Sequence, residues 1–180
     1  MGKGRATTCA CVCKIDKGFL TPNGILKIIE TVINIICLIL TADTKYWSAG
    51  CIQGYSFQSI QTATDLQNYI NSCNSTREFA LATAAIFFVL TLLLFLLFLF
   101  CVPDMAGGRK VWNIIDLVHD VIAMIFYLVS FILACVYAYG VGGMIALAIF
   151  CLLNLIAYII SLVFAVMDLK GKTVVKVTTT

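Results

Sequence analysis

From Val121 to Met167 the chain carries no charged side chain, a run of 47 residues. Wound into one helix, that run would be about 70 Å long at ~1.5 Å per residue. A bilayer core of about 30 Å is crossed by only ~20 apolar residues. The run is therefore too long for one crossing and right for two, and Gly140-Val141-Gly142-Gly143 supplies the break. Such a chain belongs in a membrane. Only 12% of its residues are charged, about half the ~25% of a soluble domain. With 180 residues, placing the spans leaves short tails and one loop, and so a single transmembrane domain.

Four spans are expected: Gly24–Ala42, Phe79–Val102, Val111–Tyr139 and Val141–Met167. The second has no charge, is crowded with Phe and Leu, and stops at Pro103. The first holds Lys27 and Glu30, both within two turns of its start, where long side chains reach the interface. A cleavable signal peptide is the competing reading of the first span. The polar 23-residue lead-in and the lack of a small-residue cleavage site near Ala42 argue against it. The fold class is thus an all-α membrane protein, a four-transmembrane-helix bundle with both termini on one side.

Basic residues choose that side. Lys3, Arg5, Lys14 and Lys17 precede the first span, Lys170, Lys172 and Lys176 follow the last, and Arg109 and Lys110 lie in the middle connector. The opposite side has Lys45 and Arg77. The bias places both tails in the cytosol and the 43–78 loop outside it. The organisation is a cytosolic tail over 1–18, a membrane domain over 19–168 and a second cytosolic tail over 169–180. Tyr46, Trp47, Trp112, Tyr137 and Tyr139 fall near the predicted span ends, and as a set they read as an aromatic belt, with packing between helices the competing reading for each ring singly.

The nine cysteines divide by compartment. Cys51 and Cys73 share the exoplasmic loop, an oxidising place, and their expected state is a disulfide. Cys9, Cys11 and Cys13 sit among basic residues in the cytosolic tail. With no His beside them to complete a zinc site, the open readings are reversible S-palmitoylation and plain thiols. Cys101, at the cytosolic end of the second span, is a further candidate for acylation. Cys37, Cys135 and Cys151 lie within spans, where Cys acts as a small apolar residue. Asn74-Ser75-Thr76 is a glycosylation sequon on the exoplasmic side, close to the membrane and hard for the glycosylating enzyme to reach. Gly142 and Ala146, and Ala80 and Ala84, have the small-xxx-small spacing that lets helices approach.

The intramembrane charges are the sharpest signal. Asp116, His119 and Asp120 stand at i, i+3 and i+4 on one face of span three, and Lys27 and Glu30 lie at the same depth of span one. A lone central charge costs about 2.5–3.5 kcal/mol on insertion scales, so pairing across the bundle is expected: Lys27 with Asp116 or Asp120, and Glu30 with His119. The structural reading is a polar clasp that fixes how spans one and three pack. The competing reading is a proton or ion relay, which needs polar groups continuing across the membrane. Beyond Val121, Ser130, Asn154 and Ser161 look scattered. Asn34 and Asn154 are expected to hydrogen-bond between helices. No HExxH, GxSxG, P-loop or paired CxxC motif occurs, so neither an enzyme nor a metal or cofactor site is expected. The membrane topology and a net charge of +3 exclude a nucleic-acid partner.

Leu20-Thr21-Pro22-Asn23-Gly24-Ile25-Leu26-Lys27-Ile28-Ile29-Glu30 resembles the opening of the MARVEL domain, where a PxGxLKxxE segment leads into span one. Trp112-Asn113-Ile114-Ile115-Asp116-Leu117-Val118-His119, with Phe126-Tyr127 downstream, resembles span three of its myelin-and-lymphocyte protein, plasmolipin and chemokine-like-factor-like branch. Leu153-Asn154-Leu155-Ile156-Ala157-Tyr158 sits where that branch has its last span. The loop is longer than in the smallest members, and the Cys patterns of claudins and tetraspanins are missing. The resemblance implies a four-helix bundle with cytosolic tails that organises membranes, through vesicle transport, sterol-rich microdomains, or junctions and membrane apposition. It carries over no catalytic residues. The expected partners are the bilayer, sterol-rich in particular, and other membrane proteins in homo- or hetero-oligomers, at the plasma membrane or on transport vesicles. The topology predicts that epitope tags at either terminus stain only permeabilised cells, whereas a tag inserted between positions 52 and 60 stains intact ones. Staining of a terminal tag on intact cells would reverse the orientation.

Overall fold

The structure, a computed structural model, describes residues 22–43, 47, 51, 62–99, 109–137 and 142–170. Four helices account for nearly all of them: α1 (Pro22–Ala42), α2 (Ala63–Leu99), α3 (Arg109–Tyr137) and α4 (Gly142–Leu169). Each is long and apolar enough to cross a membrane. They pack in ring order, α1 on α2, α2 on α3, α3 on α4 and α4 back on α1.

The inward face of each helix recurs every three or four residues, the spacing of near-parallel bundle packing. In α1 the buried positions are Lys27, Glu30, Asn34, Cys37 and Thr41, while Ile25, Ile29, Val32, Ile35 and Ile39 are exposed. That reverses the amphipathic pattern of a soluble helix. In water the polar face would turn outward; in lipid the isoleucines face the acyl chains and the polar groups turn to one another. The other helices follow the rule less steeply. α3 buries Asp116, His119, Asp120, Ala123, Tyr127, Ser130 and Ala134 and exposes Ile115, Ile122, Ile125 and Ile132. α4 buries Asn154, Tyr158 and Ser161 between turns of Ala, Leu and Met.

Helix α2 departs from the sequence expectation. It starts at Ala63 rather than near Phe79, so the second half of the 43–78 loop is helical. At 37 residues it is about 55 Å long, and its first four turns carry Asp65, Gln67, Asn68, Asn71 and Ser72. A cap explains the start. The Thr62 hydroxyl accepts from the Asp65 amide at 3.3 Å and donates to the Asp65 carboxylate at 2.5 Å, satisfying groups that a helix N-terminus leaves open. Tyr69 then meets Tyr137 of α3 edge-on, with centroids 5.5 Å apart.

The end of the bundle beyond α1 is sealed by covalent and hydrogen bonds. Cys51 and Cys73 form a disulfide with Cα atoms 6.0 Å apart, and both are fully buried. Trp47 lies against them and donates its indole N–H to the Cys73 carbonyl at 3.0 Å. Trp47 is only 3% exposed, so it is a plug in the bundle and not part of an aromatic belt; its one donor found a partner inside. Tyr137 is also drawn inward, by Tyr69. Tyr46 and Tyr139 lie outside the described residues. Gly142 has open space around it, so the Gly142/Ala146 pair mediates no close helix approach, whereas Ala80 and Ala84 are buried in the core. Cys37 and Cys151 are buried and Cys135 is exposed on the outer surface.

The bridge joins positions 22 residues apart, and closing a loop of that size is worth about 3 kcal/mol in the chain-entropy account. Cys51→Ser is expected to lower unfolding stability in detergent by about 2–4 kcal/mol, to change mobility on non-reducing gels, and to add one titratable thiol. Unchanged mobility and thiol titre would show the two cysteines unlinked.

Candidate functional site

The buried charges of α1 and α3 converge on one ammonium. Lys27 Nζ lies 2.5 Å from Asp120 Oδ1, 3.0 Å from Asp116 Oδ1 and 3.1 Å from Glu30 Oε2. Helical spacing places each acid: Glu30 is one turn from Lys27 on α1, and Asp116 and Asp120 are one turn apart on α3. Side-chain exposure is 6% or less for all four. Tyr158 of α4 closes the cage, its ring centroid 5.9 Å from Nζ.

His119 does not pair with Glu30, as the sequence suggested. Its Nδ1 lies 3.1 Å from Asp120 Oδ1, while the ammonium within reach of Glu30 is that of Lys27. The reason is reach: one flexible Lys stem serves carboxylates from both helices at once, whereas the imidazole is held against its own neighbour. A carboxylate oxygen only accepts, so His119 Nδ1–H donates to Asp120 Oδ1, and Nε2 lies 3.4 Å from the Thr91 hydroxyl.

From there the bonds run onward across the bundle. Thr91 Oγ1 and the Tyr158 hydroxyl are hydrogen-bonded at 3.0 Å, and Asn34 Nδ2 donates to the Tyr158 oxygen at 3.2 Å. Asn34 Oδ1 in turn accepts from Asn154 Nδ2 at 2.6 Å and from the Tyr127 hydroxyl. All four helices contribute, and α2 enters only through Thr91. Phe87 packs beside this chain, with centroids 5.8 Å from His119, 6.1 Å from Tyr127 and 6.5 Å from Tyr158.

The sequence reading missed Thr91, Tyr127 and Tyr158 and judged the polar residues beyond Val121 unaligned. Asn34 and Asn154 are aligned, and two tyrosines and a threonine link them to the charges. The available signal was the seven-residue spacing of Tyr127 from Asp120, two helical turns, and the four-residue spacing of Tyr158 from Asn154. Among the described residues the chain of bonds ends at Asn34, Asn154 and Tyr127. The next layer toward the disulfide holds Cys37, Ala134, Leu147 and Cys151, all buried, and the hydroxyls of Ser130 and Thr83 have no partner. Thr41 bonds back to the Cys37 and Leu38 carbonyls of its own helix.

Asp116, His119 and Asp120 bring ligand atoms within 4.8 Å of one another, a spacing that suits a metal ion. The ammonium of Lys27 stands at the focus of both carboxylates, so the position a cation would take is held by a tethered one. Asn74 is half-buried in the continuous helix α2, and the sequon's Thr76 is buried with its hydroxyl donating to the Ser72 carbonyl at 3.0 Å. Cys9, Cys11, Cys13 and Cys101 lie outside the described residues.

The family model for MARVEL, described as a membrane-associating domain, matches residues 18–164. The chain belongs to the MARVEL family. The match takes in all five buried charged or imidazole side chains, both bridged cysteines and the whole hydrogen-bond chain. No curated protein and no solved structure matches this MARVEL chain.

Removing one partner from a buried ion pair costs about 3–5 kcal/mol, because it strands the other. Lys27→Met strands three acids and is expected to lose folded, surface-delivered protein almost completely. The triple change Lys27→Met, Asp116→Asn, Asp120→Asn removes most of the stranded charge and should recover monodisperse protein on size exclusion. Failure of the triple variant to gain over Lys27→Met would show that charge balance is not what the cluster supplies.

Proposed function

We propose that this MARVEL protein is a non-enzymatic membrane organiser, with both termini cytosolic, working in vesicle trafficking, microdomain formation or the apposition of cell membranes. One observation carries the reading: in the membrane-spanning part of the bundle the charged side chains are turned inward and paired with one another, while the lipid-facing surface is largely aliphatic. A protein built this way meets its surroundings through its lipid-facing surface, its exoplasmic arm and its tails. The clasp of Lys27, Glu30, Asp116, His119 and Asp120 then serves assembly, fixing α1 against α3. The long Phe- and Leu-rich α2 suits thick, sterol-rich bilayer through hydrophobic matching, and acylated Cys9, Cys11, Cys13 or Cys101 would add to that preference.

A second reading, a proton or ion conduit on the Asp116/His119/Asp120 face, draws support from the continuous bonds between His119 and Asn34. Its weakness is the layer of Cys37, Ala134, Leu147 and Cys151, whose thiols are only weak hydrogen-bonding groups. Two measurements separate the readings. In polarised cells a tagged copy is expected to concentrate at contacts or in an apical domain and to disperse on sterol depletion. Liposomes holding purified protein and a pH-sensitive dye are expected to leak protons no faster than empty ones. A uniform, sterol-insensitive distribution with an Asp120-dependent proton flux would replace the first reading with the second.

A further inference from the structure

The acids of the ion cluster outnumber its bases. Glu30, Asp116 and Asp120 each hold an oxygen against Lys27 Nζ, at 3.1, 3.0 and 2.5 Å. His119 pairs with Asp120 at 3.1 Å, and among the described residues no further ion pair reaches these acids. From α4 the titratable group facing the ammonium is Tyr158, its ring centroid 5.9 Å away, and from α2 the cluster meets Thr91, which carries no charge. Even with His119 charged, three carboxylates would face two cations. Hydrocarbon offers a surplus charge no water, and an isolated buried carboxylate is neutralised rather than left bare.

Which acid is neutral follows from the donors that each receives. Asp120 Oδ1 accepts from both Lys27 and His119, and donors of this kind favour the ionised form. The Asp116 side chain keeps 6% of its surface exposed. That of Glu30 keeps none. Although Nζ lies beside it, neither oxygen of Glu30 has a hydrogen-bond partner, whereas on Asp116 and on Asp120 a single oxygen is in that state. Glu30 is therefore the acid with the least to hold a negative charge in place.

We propose that the cluster is a proton-binding site and that Glu30 holds the bound proton at neutral pH. A proton is the one cation that can enter while Lys27 Nζ keeps its place among the carboxylates. As a neutral acid Glu30 still presents a carbonyl oxygen to the ammonium, and its O–H becomes a donor in a site rich in acceptors, where Asp120 Oδ2 is buried without one. The retained proton does not depend on the organising role above. It also differs from a conduit, because it needs no passage beyond Asn34.

Infrared spectroscopy tests this on the full chain in an ester-free detergent at neutral pH, since the C=O stretch of a protonated carboxyl stands apart from the carboxylate bands. Glutamate labelled with heavy carbon in its side-chain carboxyl identifies the residue in the unaltered protein. The chain has two glutamates, Glu30 and Glu78, and Glu78 is exposed. A carboxylic-acid band equivalent to one glutamate per chain is expected to move with the label and to persist unchanged in Glu78→Gln. Glu30→Gln, neutral and similar in shape, should abolish that band while the protein stays monodisperse with its Cys51–Cys73 bridge intact. Where Glu30→Gln fails to fold, the label and Glu78→Gln decide the assignment. Absence of any carboxylic-acid band overturns the proposal, because the acids are then balanced by a cation from elsewhere. A band that the label leaves in place overturns it too, placing the proton on an aspartate, as does a labelled band that is lost in Glu78→Gln or survives in Glu30→Gln.

Discussion

Everything in this bundle turns about the Lys27 ammonium. In hydrocarbon a charge has no solvent to fall back on, so it must find its counter-charge inside the protein. Lys27 finds three, one on its own helix and two on α3. Only one rotation of α1 presents Lys27 and Glu30 to α3, and that rotation also turns Ile25, Ile29, Val32, Ile35 and Ile39 to the lipid. Orientation of the helix and pairing of its charges are thus a single choice.

The rest of the polar interior refines that choice. Interhelical hydrogen bonds in membranes average about 0.6 kcal/mol, well below the 3–5 kcal/mol at stake in breaking a buried ion pair. The Thr91, Tyr158, Asn34, Asn154 and Tyr127 bonds therefore add modest stability to an arrangement that the ion cluster already sets. Phe87 fills the space among them. Its ring packs beside His119 and both tyrosines and is itself buried.

Much of this was legible in the sequence because lipid simplifies the problem. A long uncharged run has no other home, and charges at i, i+3 and i+4 inside it must face inward, so the spans and the clasp residues could be read directly. The partner choice could not: Lys27 against Glu30 and His119 against Asp120 depends on how far each side chain reaches across the packed helices. Tyrosine and threonine were invisible for another reason, since both pass for apolar or small residues until a neighbour supplies a partner. The start of α2 was hidden in a polar stretch whose only marker was Thr62 three residues ahead of Asp65. Trp47 was misread because nearness to a span end says nothing about whether the chain folds back over it.

The disulfide and the ion cluster sit at opposite ends of α1, and this has a mechanical consequence. The staple ties the chain just beyond α1 to α2, while the ammonium ties the far end of α1 to α3. At the cluster end, α1 cannot slide along its own axis past α3 without parting Lys27 from Asp116 and Asp120. The seam between α2 and α3 is held differently, by stacked rings such as Phe79 and Phe126, a contact that resists shear far less than an ion pair in hydrocarbon does.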